Sequence, residues 1–229
     1  MKIAVNGALG RMGRTVIRLA REEKIEVALA IDHISGDLSE VEGVPLSPTL
    51  SSAVDAVVDF SLPGGTMARL PECVEKKTPL VICTTGFSGD EQSDIESAAA
   101  KIPILQATNM SVGMNLLFKM VPEIAQTLGE EYDIDVVETH HRFKKDAPSG
   151  SAKTLAERME KATGRKIPMA SVRSGDVVGE HRVIYGTLGE SIEIVHRASS
   201  RDIFARGSLR AARFLSNAKP GLYHMLDAI

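Results

Sequence analysis

The chain has 229 residues, 43% of them hydrophobic, enough for one large domain or two modest ones with a real core. Its 27 basic and 30 acidic residues leave a formal net charge of −3, against the basic excess that a nucleic-acid binder usually carries. The apolar runs "IAVNGALG" and "MNLLFKMVPEI" are cut by Arg11 and by Lys119 and Pro122, so neither a signal-peptide core nor a membrane span is expected. Cys73 and Cys83 form neither a disulfide framework nor a metal-ligand pattern, which makes a reducing cytoplasm the simplest setting.

In chain order, "KIAVNG" reads as a buried strand and "RMGRTVIRLAREE" as a helix. "IEVALAID" is a second strand, and the Ser-, Gly- and Pro-rich stretch from Ile34 to Thr49 reads as a loop. "AVDAVVDFS" is a third strand followed by a helical "GTMARLPECVEKK"; "PLVICTTG" is a fourth, followed by a helical "DEQSDIESAAAK"; "IPILQAT" is a fifth. Near-continuous Val/Ile/Ala runs separated by helices imply a parallel sheet covered on both faces.

The pattern changes near Asn109. A long helix, "VGMNLLFKMVPEIAQTLG", leads into "DIDVVETHH", where Ile134, Val136 and Glu138 alternate with Asp135, Val137 and Thr139. That is the period of a strand with unequal faces. "AKTLAERMEKATG" is a helix ended by Gly164; "ASVRSG", "EHRVIYGT" and "SIEIVHRA" are strand-like; "DIFARGSLRAARFLS" is a final amphipathic helix. The expected fold class is α/β: a Rossmann-type doubly wound parallel sheet over residues 1–109, then a second α+β domain with an open mixed sheet over residues 110–207. The tail, residues 208–229, is expected to return to the first domain, because chain ends often lie close together.

"VNGALGRMG" places Gly7, Gly10 and Gly13 between the first strand and the first helix. The spacing is G-x-x-G-x-x-G, but the physical need matches that of the commoner dinucleotide turn: a backbone that bends tightly, approaches a pyrophosphate, and presents a helix N-terminus to it. Arg11 could add a charged contact. Asp32 ends the second strand nineteen residues past Gly13, where a carboxylate accepts hydrogen bonds from an adenine ribose. His33 leaves the choice between NADH and NADPH open. Thr84, Thr85, Thr108 and Asn109 close later strands, where ligands of such sheets sit, and become candidates for the nicotinamide half.

"ETHHRFKKDAPSGSA", Glu138 to Ala152, crowds the second domain with donors. Adjacent histidines on a strand point to opposite faces, so a shared metal is not expected. Ser149, Gly150 and Ser151 open a helix whose first-turn N–H groups make an anion site. Lys144 can swing a point charge toward it, and His140 and His141 add donors tunable near neutral pH. The constellation suits a small carboxylate with a proton donor close by.

These residues resemble the signature of the dihydrodipicolinate reductase family, E-x-H-H-x-x-K-x-D-A-P-S-G-T-A. The likeness extends through "VNGALGRMG", "VVDFS", "TTGF", "NMSVGMN", "VGEH" and "HRASSRDIFARGSLRAARFL". It implies that His140 is the catalytic acid/base, that Lys144 is a proton donor, and that His141, Lys144, Ser149, Gly150 and Ser151 bind substrate. It likewise implies cofactor contacts from Gly7, Ala8, Leu9, Gly10, Arg11 and Met12, from Asp32, from Cys83, Thr84 and Thr85, and from Ala107, Thr108, Asn109 and Met110. The implied substrate is a small cyclic dicarboxylate of the lysine and diaminopimelate route, the cofactor NADH and/or NADPH, and the assembly a homotetramer joined through the second-domain sheets. Ser151 replaces the usual threonine, Met110 a common aromatic residue, and His33 an arginine found in some members. An aspartate-dehydrogenase-like enzyme and a non-catalytic NADH-sensing regulator are the alternatives; the regulator would need neither His140 nor Lys144.

Overall fold

The computed structural model describes residues 1–33 and 37–229. By contacts the chain divides into two compact units, residues 1–110 with 202–229, and residues 111–201.

The first unit alternates strand and helix: β1 (Lys2–Asn6), α1 (Arg11–Glu22), β2 (Glu26–Ile31), β3 (Glu40–Val41), β4 (Val44–Ser47), β5 (Ala56–Asp59), α2 (Pro63–Glu75), β6 (Leu80–Ile82), α3 (Gly89–Ala99) and β7 (Pro103–Gln106). After the second unit the chain returns with α6 (Asp202–Leu215), β12 (Gly221–Tyr223) and a closing 3-10 turn at Met225–Ala228. The sheet order is β12-β7-β6-β5-β1-β2-β4-β3, parallel throughout except for the β3–β4 pair. Helices α1 and α6 pack together, while α2 and α3 pack together and against β6 and β7. Four surface ion pairs, each with an exposed arginine, join α1 and its C-cap Glu23 to α6, led by Arg18–Asp202 and Arg213–Glu23 at 2.8 Å. Exposed pairs contribute at most about 1 kcal/mol each. The fully buried Ala205, Leu209, Ala212 and Leu215 of α6 dominate that attachment.

One expectation needs correction. The stretch Ile34 to Thr49 is not simply a loop: residues 40–47 form the β3–β4 hairpin, and β4 extends the sheet beside β2 (residues 34–36 lie outside the described residues). Val41 and Val44, only 3% and 4% exposed, bring this polar segment onto the sheet edge. Burying such side chains contributes about 1.5–3 kcal/mol apiece, which outweighs the turn-forming composition around them. The strand β12, three residues long, joins β7 after the Pro-Gly break and was not expected either.

The second unit comprises α4 (Val112–Leu128), β8 (Asp133–His140), α5 (Gly150–Thr163), β9 (Met169–Arg173), β10 (Gly179–Thr187) and β11 (Glu190–Ala198). Its mixed sheet runs β11-β10-β8-β9, with β8–β9 parallel and the other pairs antiparallel. The apolar side chains of α4 and α5 form one core with Ile134 and Val136 of β8 and Val183 and Tyr185 of β10. Pro122 inside α4 has no N–H to offer the carbonyl of Phe118. Arg158 of α5 donates to that carbonyl at 3.2 Å, its guanidinium lying over the Phe118 ring. A helix break thus becomes a contact between helices. By register, Val137, Val172, Ile184 and Val195 share the opposite sheet face. No helix among the described residues is long and apolar enough to cross a membrane.

Candidate active site

Each unit carries its own cluster of functional side chains. In the first, Gly7 ends β1 with φ +76, and a Cβ there would lie 2.8 Å from the backbone of Phe60 and Ser61. A Cβ on Gly13 would meet the carbonyl oxygen of Gly7 at 2.2 Å, so helix α1 can approach the turn only through glycine. Gly10 occupies the N-cap of α1 and brings no side-chain cap, which leaves first-turn N–H groups for a ligand. Asp32, just past β2, is already aimed: its Oδ2 accepts the N–H of Leu9 and its Oδ1 the N–H of His33, both at 2.8 Å.

Gly7, Leu9, Gly10, Asp32 and His33 line a cleft of about 670 Å³ with Asn6, Phe60 and Ser61. These features fit a dinucleotide. The expected Ala8 lies buried beneath the turn, Arg11 and Met12 begin α1, and none of these three lines the cleft. Cys83 to Thr85 follow β6 and Ala107 to Met110 follow β7, also outside the cleft but along the same row of strand ends. From β2 to β7 is four inter-strand spacings, about 19 Å, the reach of an extended dinucleotide. Met110 is 2% exposed, and a Cβ on Gly207 of α6 would strike its carbonyl oxygen at 1.7 Å. Its side chain therefore packs into the unit and offers no surface to a ring. Burial and the neighbouring Asp59 carboxylate push the Cys83 thiol well above its ordinary range, which removes it as a nucleophile.

Asp59, missed in the sequence, is fully buried at the end of β5. Its Oδ1 accepts the N–H of Ser61 at 2.8 Å and Nδ2 of Asn6 at 3.1 Å, pinning the segment against which Gly7 turns. Burial raises its pKa. Asking what closes each strand, as for the fourth and fifth, would have found Asn6, Asp59 and Ser61. Substituting Gly13→Ala is expected to weaken NADH binding roughly 5- to 150-fold, the equivalent of about 1–3 kcal/mol of overpacking. Fluorescence titration reads this directly; unchanged affinity would dissociate the turn from the cofactor.

In the second unit the strict alternation of β8 turns Ile134, Val136, Glu138 and His140 inward. Glu138 is wholly buried and organises everything near it. Arg173 of β9, which pairs His140 in register, grips both its oxygens at 2.9 and 2.8 Å. Nδ1 of His140 hydrogen-bonds Oε2, and the N–H of Ser149 reaches Oε1 at 3.2 Å. Burial alone would raise the Glu138 pKa; hydrogen bonds from Arg173, Ser171 and His140 hold it at about 2. Burial lowers the pKa of His140, with Glu138 opposing and Lys144 and Arg173 adding to the fall. A Cβ on Gly179 would sit 3.0 Å from Nε2 of His140, so the first residue of β10 leaves room for that edge of the ring.

Ser149 caps α5, its Oγ accepting the N–H of Ala152 at 3.2 Å. Gly150 and Ser151 form the first helical positions. Lys144 lies 2.8 Å from Asp146, and its N–H bonds the carbonyl of His141. His141 just follows β8, half-buried, with its ring near the exposed Phe143. The structure thus brings His140, Ser149, Gly150 and Ser151 to one end of β8 and α5, with His141 and Lys144 on the loop joining them. Sequence reading assigned no role to Glu138, Arg173 or His181. His181 of β10 stands edge-on to His140, centroids 5.1 Å apart, with Nε2 3.1 Å from the Ser149 hydroxyl. A second pair of this kind, His196 on β11 and Ser111 capping α4, lies alongside at 3.1 Å.

Family models described as the N-terminus and the C-terminus of dihydrodipicolinate reductase match residues 1–110 and 113–229. The chain is 43% identical over 235 residues to 4-hydroxy-tetrahydrodipicolinate reductase of Stenotrophomonas maltophilia, covering 100% of this chain and 98% of the relative. With the enzyme of that name from Syntrophotalea carbinolica it shares 39% over 263 residues, at the same coverage. The solved dipicolinate-bound dihydrodipicolinate reductase of a Paenisporosarcina species has the same fold: TM-score 0.85 at 23% identity, over 100% of this chain and 99% of that one. Aspartate dehydrogenase of Thermotoga maritima is a more distant likeness of fold, TM-score 0.54 at 14% identity, over 96% and 97%.

Proposed function

The chain belongs to the dihydrodipicolinate reductase family, and from that premise we propose that it reduces 4-hydroxy-tetrahydrodipicolinate to tetrahydrodipicolinate on the route to diaminopimelate and lysine. One observation carries the assignment of its machinery. The buried Glu138 binds both Nδ1 of His140 and the N–H of Ser149, so a proton-transfer group and an anion-binding helix start are fixed to one carboxylate.

The cofactor, NADH or NADPH, is held on the first unit by the Gly7–Met12 turn and Asp32, and by the backbone of Cys83 to Thr85 and of Ala107 to Met110, which follow β6 and β7. When bound, it supplies the hydride. The substrate ring is held on the second unit. Lys144, Ser149, Gly150, Ser151 and His141 take one carboxylate, which competes with Asp146 for the Lys144 ammonium. After loss of water and hydride addition at ring carbon four, the neighbouring electron-rich carbon needs a proton. His140 delivers it from Nε2, because Nδ1 is committed to an ionised Glu138 that can only accept. The dianionic substrate beside the ring favours the imidazolium that its buried site disfavours, so the proton arrives with the substrate. The assembly is a homotetramer joined through the sheet face bearing Val137, Val172, Ile184 and Val195, and the two unpaired cysteines suit the cytoplasm.

The test follows NADH absorbance with the enzymatically generated cyclic substrate: oxidation dependent on that substrate supports the reading, and NADH binding without oxidation would establish a sensor instead. Lys144→Ala is expected to lower kcat/KM roughly 10- to 150-fold, the loss of one charge-assisted contact of about 1.5–3 kcal/mol, with NADH affinity unchanged. A wild-type kcat/KM in that variant removes Lys144 from the site.

A further inference from the structure

We propose that His181 is a positioning residue of the substrate site, whose imidazole turns the Ser149 hydroxyl so that its O–H is donated to the bound carboxylate. The inference rests on the substrate assignment above and deepens it. His181 is 5% exposed, directly opposite Glu138 on one neighbouring strand and His196 on the other, and its side chain shares the inner face with both. Nε2 lies 3.1 Å from Ser149 Oγ. Nδ1 is buried and meets no hydrogen-bond partner among the described residues.

The orphaned nitrogen decides the tautomer. A buried N–H without an acceptor is rarer and costlier than a buried lone pair, so the ring proton belongs on Nε2. That places His181 as the donor and Ser149 Oγ as the acceptor. The same oxygen already accepts the N–H of Ala152 at 3.2 Å. With both lone pairs engaged, the hydroxyl hydrogen is committed to neither partner, and the serine, itself 2% exposed, keeps that hydrogen for a third group at the start of α5. Burial first, then the neighbouring His140 and His196, holds the ring's pKa at about 4, so it stays neutral while the site works.

The cap itself does not need the histidine. Ser149 Oγ caps Ala152 whatever lies behind it. What His181 adds is direction. Without a donor at Nε2, the hydroxyl would be free to turn toward Glu138, whose Oε1 already accepts the Ser149 N–H at 3.2 Å, and its hydrogen would be lost to the substrate.

The experiment measures steady-state constants for His181→Leu, His181→Asn and His181→Gln, each alone and with Ser149→Ala. Glutamine can place an amide N–H where Nε2 stood; asparagine is too short, and leucine has no donor. Losing one donor to a charged group is expected to raise the KM for the cyclic dicarboxylate roughly tenfold in the Leu and Asn variants, with kcat and the KM for NADH within about threefold of wild type. Glutamine should restore it. In the Ser149→Ala background the same substitutions should change KM less than about twofold. Should leucine prevent folding, the Asn–Gln contrast carries the comparison. Multiplicative effects in the double variants, or a fall in kcat at constant substrate KM, overturn the proposal. Absence of substrate-dependent NADH oxidation in the wild type would instead sink the reductase reading on which it rests.

Discussion

Replacing His140 with glutamine is expected to lower kcat by about 10²–10⁴-fold, the usual contribution of a positioned acid or base, while NADH binds as in the wild type. Glutamine can still offer Glu138 an N–H but cannot carry a proton to a ring carbon. The pH dependence gives the sign. His140 in the free enzyme has its pKa pushed below 6.5, so the imidazolium is lost as pH rises through that lowered value, and kcat/KM should fall across the same interval. In the complex the dianion raises the pKa, which moves the corresponding limb of kcat to higher pH. Both limbs should disappear in His140→Gln. A variant that keeps wild-type turnover and its pH limb would show that the ring proton comes from elsewhere.

How far the molecule can be read from its residues depends on how local each feature is. The parallel strands appear as unbroken Val/Ile/Ala runs because both of their faces are covered, and the run from Glu138 to Ala152 could be read as an anion site because strand end, loop and helix start are contiguous. The β3–β4 hairpin escaped because its buried side chains are just two valines in a polar stretch, and its pairing with β2 leaves no mark in the sequence. Glu138 showed the right signal, an acid on the same strand face as Ile134 and Val136, and that face demands a partner. The partner is Arg173, 35 residues on, brought there by parallel β8–β9 pairing. Ser149 and His181 are likewise 32 residues apart and meet where the start of α5 lies against β10. No spacing rule anticipates those pairs, since the register that makes them exists only once the sheet has formed.

Glu138 should therefore be the more damaging position although it touches no substrate. The ionised carboxylate accepts from Arg173, His140 and Ser149 and can donate to none. Glutamine turns one of its two acceptor positions into a donor, so at least one of those hydrogens meets another, and the Arg173 guanidinium loses its counter-charge. Breaking a buried pair in this way costs about 3–5 kcal/mol. Catalysis should fall further than stability, on the order of 10³–10⁴-fold in kcat/KM, because His140 is no longer compelled to carry its hydrogen on Nδ1, the loss seen when a buried carboxylate behind a catalytic histidine is neutralised. Acid unfolding separates the two roles. With its pKa lowered from 4.5 to about 2, Glu138 contributes about 3 kcal/mol of stability, fully present above pH 4.5 and lost as pH falls toward 2. Glu138→Gln should be less stable at neutral pH yet lose less of its remaining stability over that acid interval. Glu138→Asp, which keeps the charge and shortens the reach, should retain the acid dependence while still losing activity. An unfolding profile for the glutamine variant that runs parallel to the wild type from pH 7 to pH 2 would mean that the charge on Glu138 does not hold the second unit together, and the account of its site built on that carboxylate would have to be abandoned.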